Sequence, residues 1–154
     1  MGLKQAIRKL RLHTIGRIDR VDFPELNLYD VPAKIDSGAY TSVIHGEDIE
    51  AFYHEGQHLV SFRLPGLKQK ITVPVHASKQ VRSSFGHTDY RYTIKTTVVL
   101  FGKEYITELA LTDRSAMKYP VLLGRQLLRN RFIIDVTRIN LSYRQKLRQL
   151  STKK

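Results

Sequence analysis

The residues best suited to chemistry lie in Ala33-Lys34-Ile35-Asp36-Ser37-Gly38-Ala39-Tyr40-Thr41-Ser42. An acid at the end of an apolar strand, followed by a small hydroxyl and a glycine, suits a loop that presents a carboxylate for acid–base work. Gly38 permits a sharp turn and a close approach by another chain. Alone, Asp-Ser-Gly is also a common turn. A second stretch, Tyr119-Pro120-Val121-Leu122-Leu123-Gly124-Arg125-Gln126-Leu127-Leu128, gives an apolar strand ending in Gly-Arg ahead of good helix formers. A third, His54-Glu55-Gly56-Gln57-His58, matches the HExxH zinc motif letter for letter. That motif works on a helix, where both imidazoles share a face and the glutamate is the base. Here Gly56 sits in its middle and strand-like segments flank it, so a hairpin turn is expected and no metal site is assigned. His45 and His58, with Glu47 or Asp48, are the remaining candidates for an adventitious surface metal site.

The elements that must position these residues are short and β-rich. Ile49–Tyr53 and Leu59–Arg63 flank Glu55-Gly56 and predict one hairpin. Lys70–Val75 predicts the next strand, and Thr93–Leu100 with Tyr105–Leu111 around Gly102 a second hairpin. Residues 125–131 predict one short helix, and Phe132–Val136 a strand. Leu3, Ile7 and Leu10 have helical spacing, so a further helix is conceivable only at the termini.

The 154 residues fit one domain. There is no cysteine, which excludes disulfides and thiolate metal sites. No apolar run approaches the roughly 20 residues of a membrane span, and the first ten residues lack a signal-peptide core. A cytoplasmic protein without membrane contact is expected. The net charge of +12 is uneven. Residues 1–20 carry six basic groups against Asp19, and residues 125–154 carry nine against Asp135. The body between them is close to neutral. The basic ends are therefore candidates for RNA or ribosome contact, with simple solubility as the plain alternative.

The order of catalytic-type loop, hairpin, apolar-Gly strand and helix resembles the retropepsins, where the Gly-Arg strand threads beneath the catalytic loop. It is more closely similar to the bacterial family known as putative ATP-dependent zinc proteases, which are retropepsin-like in fold. The matching stretches are Ile15-Gly16-Arg17, Ala33 to Ala39, Arg91-Tyr92, Leu111 to Met117 and Leu123-Gly124-Arg125. Ser37 stands where the family more often has threonine, which keeps the hydroxyl. The resemblance covers about residues 14–142 and implies an all-β, closed retropepsin-like barrel with one short helix after the apolar-Gly strand. It divides the chain into a basic extension (1–14), the domain (15–142) and a basic tail (143–154). Residues 45–80 exceed a minimal retropepsin and imply one extra hairpin.

The resemblance implies catalysis by Asp36, Ser37 and Gly38, supported by Val121, Leu122, Leu123, Gly124 and Arg125. It places a flap on residues 81–90, so that Arg82, Ser84, Phe85 and Gly86 join Ala39 as substrate-binding candidates. Members of the family resemble partners of ligases that add glutamate or other amino acids. Acidic or ligase-added tails are thus the expected substrates, with Lys34, Arg82, Arg91 and Arg114 as carboxylate contacts. An aspartic peptidase needs two carboxylates, and this chain has one Asp-Ser-Gly. A homodimer acting on a peptide or protein, without cofactor, is expected. The alternatives are a non-catalytic protein- or RNA-binding module on the same scaffold and a zinc-dependent hydrolase.

Overall fold

A computed structural model describes residues 2–4, 12–82, 85–113 and 118–152. The strands are β1 (His13–Phe23), β2 (Leu28–Ile35), β3 (Ser42–His45), β4 (Glu47–His54), β5 (Gln57–Arg63) and β6 (Ile71–Pro74). They continue with β7 (Ala77–Arg82), β8 (Thr88–Leu100), β9 (Lys103–Thr112), β10 (Val121–Leu123) and β11 (Phe132–Ile139). A 3-10 turn covers Pro24–Leu26, and the helices are α1 (Arg125–Leu128) and α2 (Leu141–Thr152).

Eight strands form one sheet in the order β11-β1-β2-β10-β3-β9-β8-β7. It curls until β1 meets β8 at a single pair, Asp22 opposite Val99. The architecture is mostly β, as expected, and among the described residues this is the one pair between β1 and β8, the strands next to the sheet's two ends. Ile15, Phe23, Ile44, Ile94, Leu100, Leu109 and Leu123 fill the interior without solvent contact. Two of the hairpins follow from local chemistry. The β4–β5 and β8–β9 connections are two-residue loops, Glu55-Gly56 and Phe101-Gly102, with positive φ at both positions. That is the type I′ turn whose twist matches flanking strands.

The insertion is larger than one hairpin. β4, β5 and β6 make a separate three-stranded sheet, because Ile71–Pro74 pairs with Leu59–Phe62 and extends it. Phe62 is fully buried and anchors this sheet to the main core.

Among the described residues, a helix also forms beyond the short one expected after the apolar-Gly strand. Residues 141–152, which overlap the basic tail read from sequence (143–154), form α2 and dock on β1. The reason lies far away in sequence. Asp19 is fully buried, and its carboxylate accepts the N–H groups of Ser142 and Tyr143, each at 3.0 Å. These are among the donors that a helix start leaves unpaired. Burial pushes the Asp19 carboxyl above its ordinary value, against the downward pull of the Ser142, Arg20 and Tyr143 N–H groups. Lys146 secures the next turn, 2.8 Å from Asp22 and 2.6 Å from Asp30. Among the described residues, no helix is long and apolar enough to cross a membrane.

Candidate active site

Strand β2 delivers Asp36 to the edge of the interior. β10 lies beside it in parallel, with Ile35 opposite Leu123, and the Asp36 N–H donates to Leu123 O at 2.8 Å. The chain then turns, so that the Gly38 N–H donates to Asp36 Oδ1 at 2.9 Å. Asp36 is half-buried, while Ser37 and Gly38 are exposed. Among the described residues nothing donates to Asp36 Oδ2. One carboxylate oxygen is thus held by the loop and the other is left open to a visitor.

The Gly-Arg strand secures the loop from below. Arg125 N–H donates to Ala39 O at 2.8 Å and Gln126 N–H to Tyr40 O at 2.9 Å. These bonds cap the first turn of α1 with loop carbonyls instead of a side chain. Arg125 Nη1 donates to Ser37 O at 2.9 Å, and its guanidinium lies 5.9 Å from the Tyr40 ring centre. The crossing explains Gly124. A Cβ there would fall 2.7 Å from Tyr40 O and 2.8 Å from Ala39 O, both backbone atoms. Its φ of −100° suits any residue, so space alone demands glycine. Gly124→Ala should therefore cost about 1–3 kcal/mol of stability, the usual range for forcing a group into packed surroundings. Chemical denaturation would measure it, and an unchanged midpoint would show that the crossing is looser than these contacts imply.

Asp36, Ser37, Gly38 and Ala39 therefore meet Val121, Leu122, Leu123, Gly124 and Arg125 in one unit. Of the other sequence candidates, Lys34, Phe85, Gly86 and Arg91 fall on described residues. Lys34 is exposed on β2, and Arg91 is exposed on β8 opposite Lys79 of β7. Phe85 is 88% exposed beside Gly86, whose φ of 81° shapes the tip of the β7–β8 hairpin. No hydrogen bond or ion pair joins Lys34, Phe85 or Arg91 to the Asp36 loop among the described residues. Ser84 and Arg114 lie outside the described residues, as does the side chain of Arg82.

Three residues of the unit escape a motif search. Ser42 is buried, and its Oγ accepts the Gly124 N–H at 3.0 Å. Its one signal is a hydroxyl placed before the apolar Val43-Ile44. Tyr40 supplies a carbonyl and a ring, and Arg129 shares with Arg125 the rim of a hollow of about 370 Å³ beside Ser37. Leu128, Phe132 and Ile134 form its floor.

The His54–His58 segment is a hairpin, as expected. His54 pairs with Gln57 and His58 with Tyr53, so the two imidazoles point to opposite faces. His58 stacks on Tyr53 with ring centres 4.4 Å apart, and its edge meets Tyr92 at 5.8 Å. His45 is only 3% exposed, which removes it from the surface metal site considered for it. Among the described residues, no three His, Asp or Glu side chains cluster as metal ligands do.

Known proteins similar to this chain carry different names. The family model described as the retropepsin-like aspartic endopeptidase RimB matches residues 14–145. A probable alpha-L-glutamate ligase of Desulfotalea psychrophila is 37% identical over 127 residues, 79% of this chain and 27% of that protein. Its counterpart in Shewanella pealeana is 35% identical, over 79% of this chain and 28% of that protein. The chain thus spans about a quarter of the length of the curated relatives it matches. A crystal structure of Lpg0085, a Legionella pneumophila protein of unknown function, superposes with a TM-score of 0.69 at 21% identity. It covers 84% of this chain and 98% of its own, a likeness of fold.

Proposed function

This chain belongs to the RimB-like family of retropepsin-like aspartic endopeptidases, and we propose that it is an aspartic peptidase whose site is completed by a second copy of itself. The observation that carries the reading is Asp36. It is held by one oxygen and open at the other, on a stretch (residues 36–42) tied to residues 123–126 by five hydrogen bonds.

One such carboxylate is half a catalytic device. In the dimer, two Asp36 carboxyls share a proton, because like charges so close cannot both ionise; paired aspartates of this class are the standing example. The ionised member takes a proton from water as the water oxygen attacks the scissile carbonyl carbon. The protonated member donates to the carbonyl oxygen. Collapse of the tetrahedral intermediate breaks the C–N bond, and a proton returned to nitrogen releases the amine. The exposed Ser37 would supply the hydroxyl that bridges to the partner loop. The hollow beside it has an apolar floor that a second copy would cover.

The relatives named alpha-L-glutamate ligases have a domain like this one within chains about four times its matched length. Their names support acidic, ligase-added tails as substrates. The direct experiment is incubation with a peptide ending in several glutamates, with products read by mass spectrometry. Cleavage should survive chelators. The double substitution His54→Ala with His58→Ala should change turnover by less than about twofold, because these imidazoles face apart on an outlying hairpin. A large loss that added zinc restores would instead establish a zinc hydrolase.

A further inference from the structure

Arg125, Arg129 and Arg131 lie on and just after α1, and none is paired with a carboxylate among the described residues. Arg125 donates to Ser37 O and faces the Tyr40 ring, as described above. Asn130, at a φ of 63°, turns the chain through the left-handed region that asparagine tolerates. Arg131 thereby comes back along the helix. Its Nη1 donates to Leu127 O at 2.8 Å, and its guanidinium lies 5.5 Å from the Tyr105 ring centre. Arg129 is exposed, and its side chain makes no hydrogen bond or ion pair among the described residues.

Other cations of this protein do find acids. Arg63 pairs with Glu47 and Asp48, Lys70 with Glu50, and Lys146 with Asp22 and Asp30. Arg125 and Arg131 instead give single donors to carbonyl oxygens and set their planes against rings. That fixes the two guanidiniums in space, yet leaves their charge uncompensated and most of each five-donor fork unused.

Two of the three meet in one hollow. Tyr40, Gln126, Arg129, Asn130 and Arg131 line a cavity of about 400 Å³, a size suited to a small ligand group. It shares Tyr40 and Arg129 with the hollow beside Ser37, where Arg125 stands. Among the described residues, no Asp or Glu lines either hollow. Guanidinium, carboxamide and phenol groups all offer N–H or O–H donors, which is the lining an anion needs. Tyr40 follows Asp36 by four residues, so their Cα atoms are at most about 14 Å apart. An extended peptide covers that length with about four residues.

We infer that this hollow is an acidic subsite, in which Arg129 and Arg131 bind the carboxylate of a substrate residue a few positions from the bond that Asp36 cuts. The identity of the ligand rests on the peptidase reading. Arg131 is held ready by Leu127 O and the Tyr105 ring, and Arg129 closes on the carboxylate with two parallel bonds. The apolar floor of Leu128, Phe132 and Ile134 belongs to the neighbouring hollow, so its role as a surface for the second copy is untouched. Nucleic acid is the competing polyanion, but single strands bind through bases stacked on open aromatic rings. The rings beside these arginines, Tyr40 and Tyr105, are each faced by a guanidinium.

The test uses the Asp36→Asn protein, so that nothing is cleaved, and a fluorescein-labelled peptide of eight glutamates. Fluorescence anisotropy should show binding that weakens with salt. Adding Arg129→Glu should raise Kd about tenfold at low salt, and Arg129→Ala about threefold. Arg144→Glu makes the same charge change on an exposed residue of α2 and should move Kd by less than about twofold. Should Arg129→Glu melt early, Arg129→Ala decides, since it removes only an exposed side chain. Unchanged affinity in a folded Arg129 variant overturns the subsite, as does equal weakening by Arg144→Glu. So does competition by free glutamate or inorganic phosphate as effective as that of unlabelled peptide, which would mark a small-anion site, or tighter binding of a poly-U strand of equal charge. The readout is binding alone, so a subsite without cleavage and cleavage without a subsite are separate results.

Discussion

Asp36→Asn abolishes cleavage of a glutamate-tailed peptide, lowering turnover by about 10³-fold or more while leaving the fold intact. The amide keeps the shape of the carboxyl, and its oxygen still accepts the Gly38 N–H that Asp36 Oδ1 accepts at 2.9 Å. What it loses is basicity. It cannot take a proton from water, and it has no acidic proton to give the carbonyl oxygen. The proposed homodimer would carry the change twice, so both proposed roles would disappear together. Thermal unfolding should stay within about 0.5 kcal/mol of wild type, as for a partly exposed position whose hydrogen bond survives. Wild-type turnover by the variant would remove Asp36 from the chemistry and leave the retropepsin fold as a binding scaffold.

The pairing of the Asp36 loop with the strand beneath it was legible in the sequence because its signals are local. Asp36-Ser37-Gly38 and the Leu123-Gly124-Arg125 strand are short motifs whose spacing and order survive without coordinates. The hairpins were legible for the same reason, since Glu55-Gly56 and Phe101-Gly102 announce their own turns. The interactions that the sequence concealed are non-local. Nothing near Leu141 announces a docked helix, because the acceptor for its first N–H groups is Asp19, more than 120 residues earlier. The third strand of the inserted sheet was visible as a strand, but its partner was not. Ser42 looked like any strand residue until Gly124 was placed against it. The charge totals showed basic ends, and only the structure shows Lys146 held between Asp22 and Asp30.

Assembly provides the second large effect. If each protomer supplies one Asp36, activity per milligram falls steeply when the protein is diluted through its dimer dissociation constant. Mixing is the sharper measurement. With Asp36→Asn subunits in threefold excess and free exchange, random pairing leaves about a quarter of wild-type chains with a wild-type partner. Activity per wild-type chain should drop to about that fraction, because a mixed dimer has one carboxylate and cannot divide the acid and base roles. Ser37→Ala acts on the same contact. It removes the exposed hydroxyl proposed to bridge to the partner loop while leaving Ser37 O to accept from Arg125, so the intraprotomer clamp persists. Its half-maximal activity should therefore move to higher protein concentration with turnover at saturation less affected. A chain that sediments as a monomer at full activity would sink the shared dyad. A dimer indifferent to mixing would show that subunits pair elsewhere, with the two Asp36 loops apart.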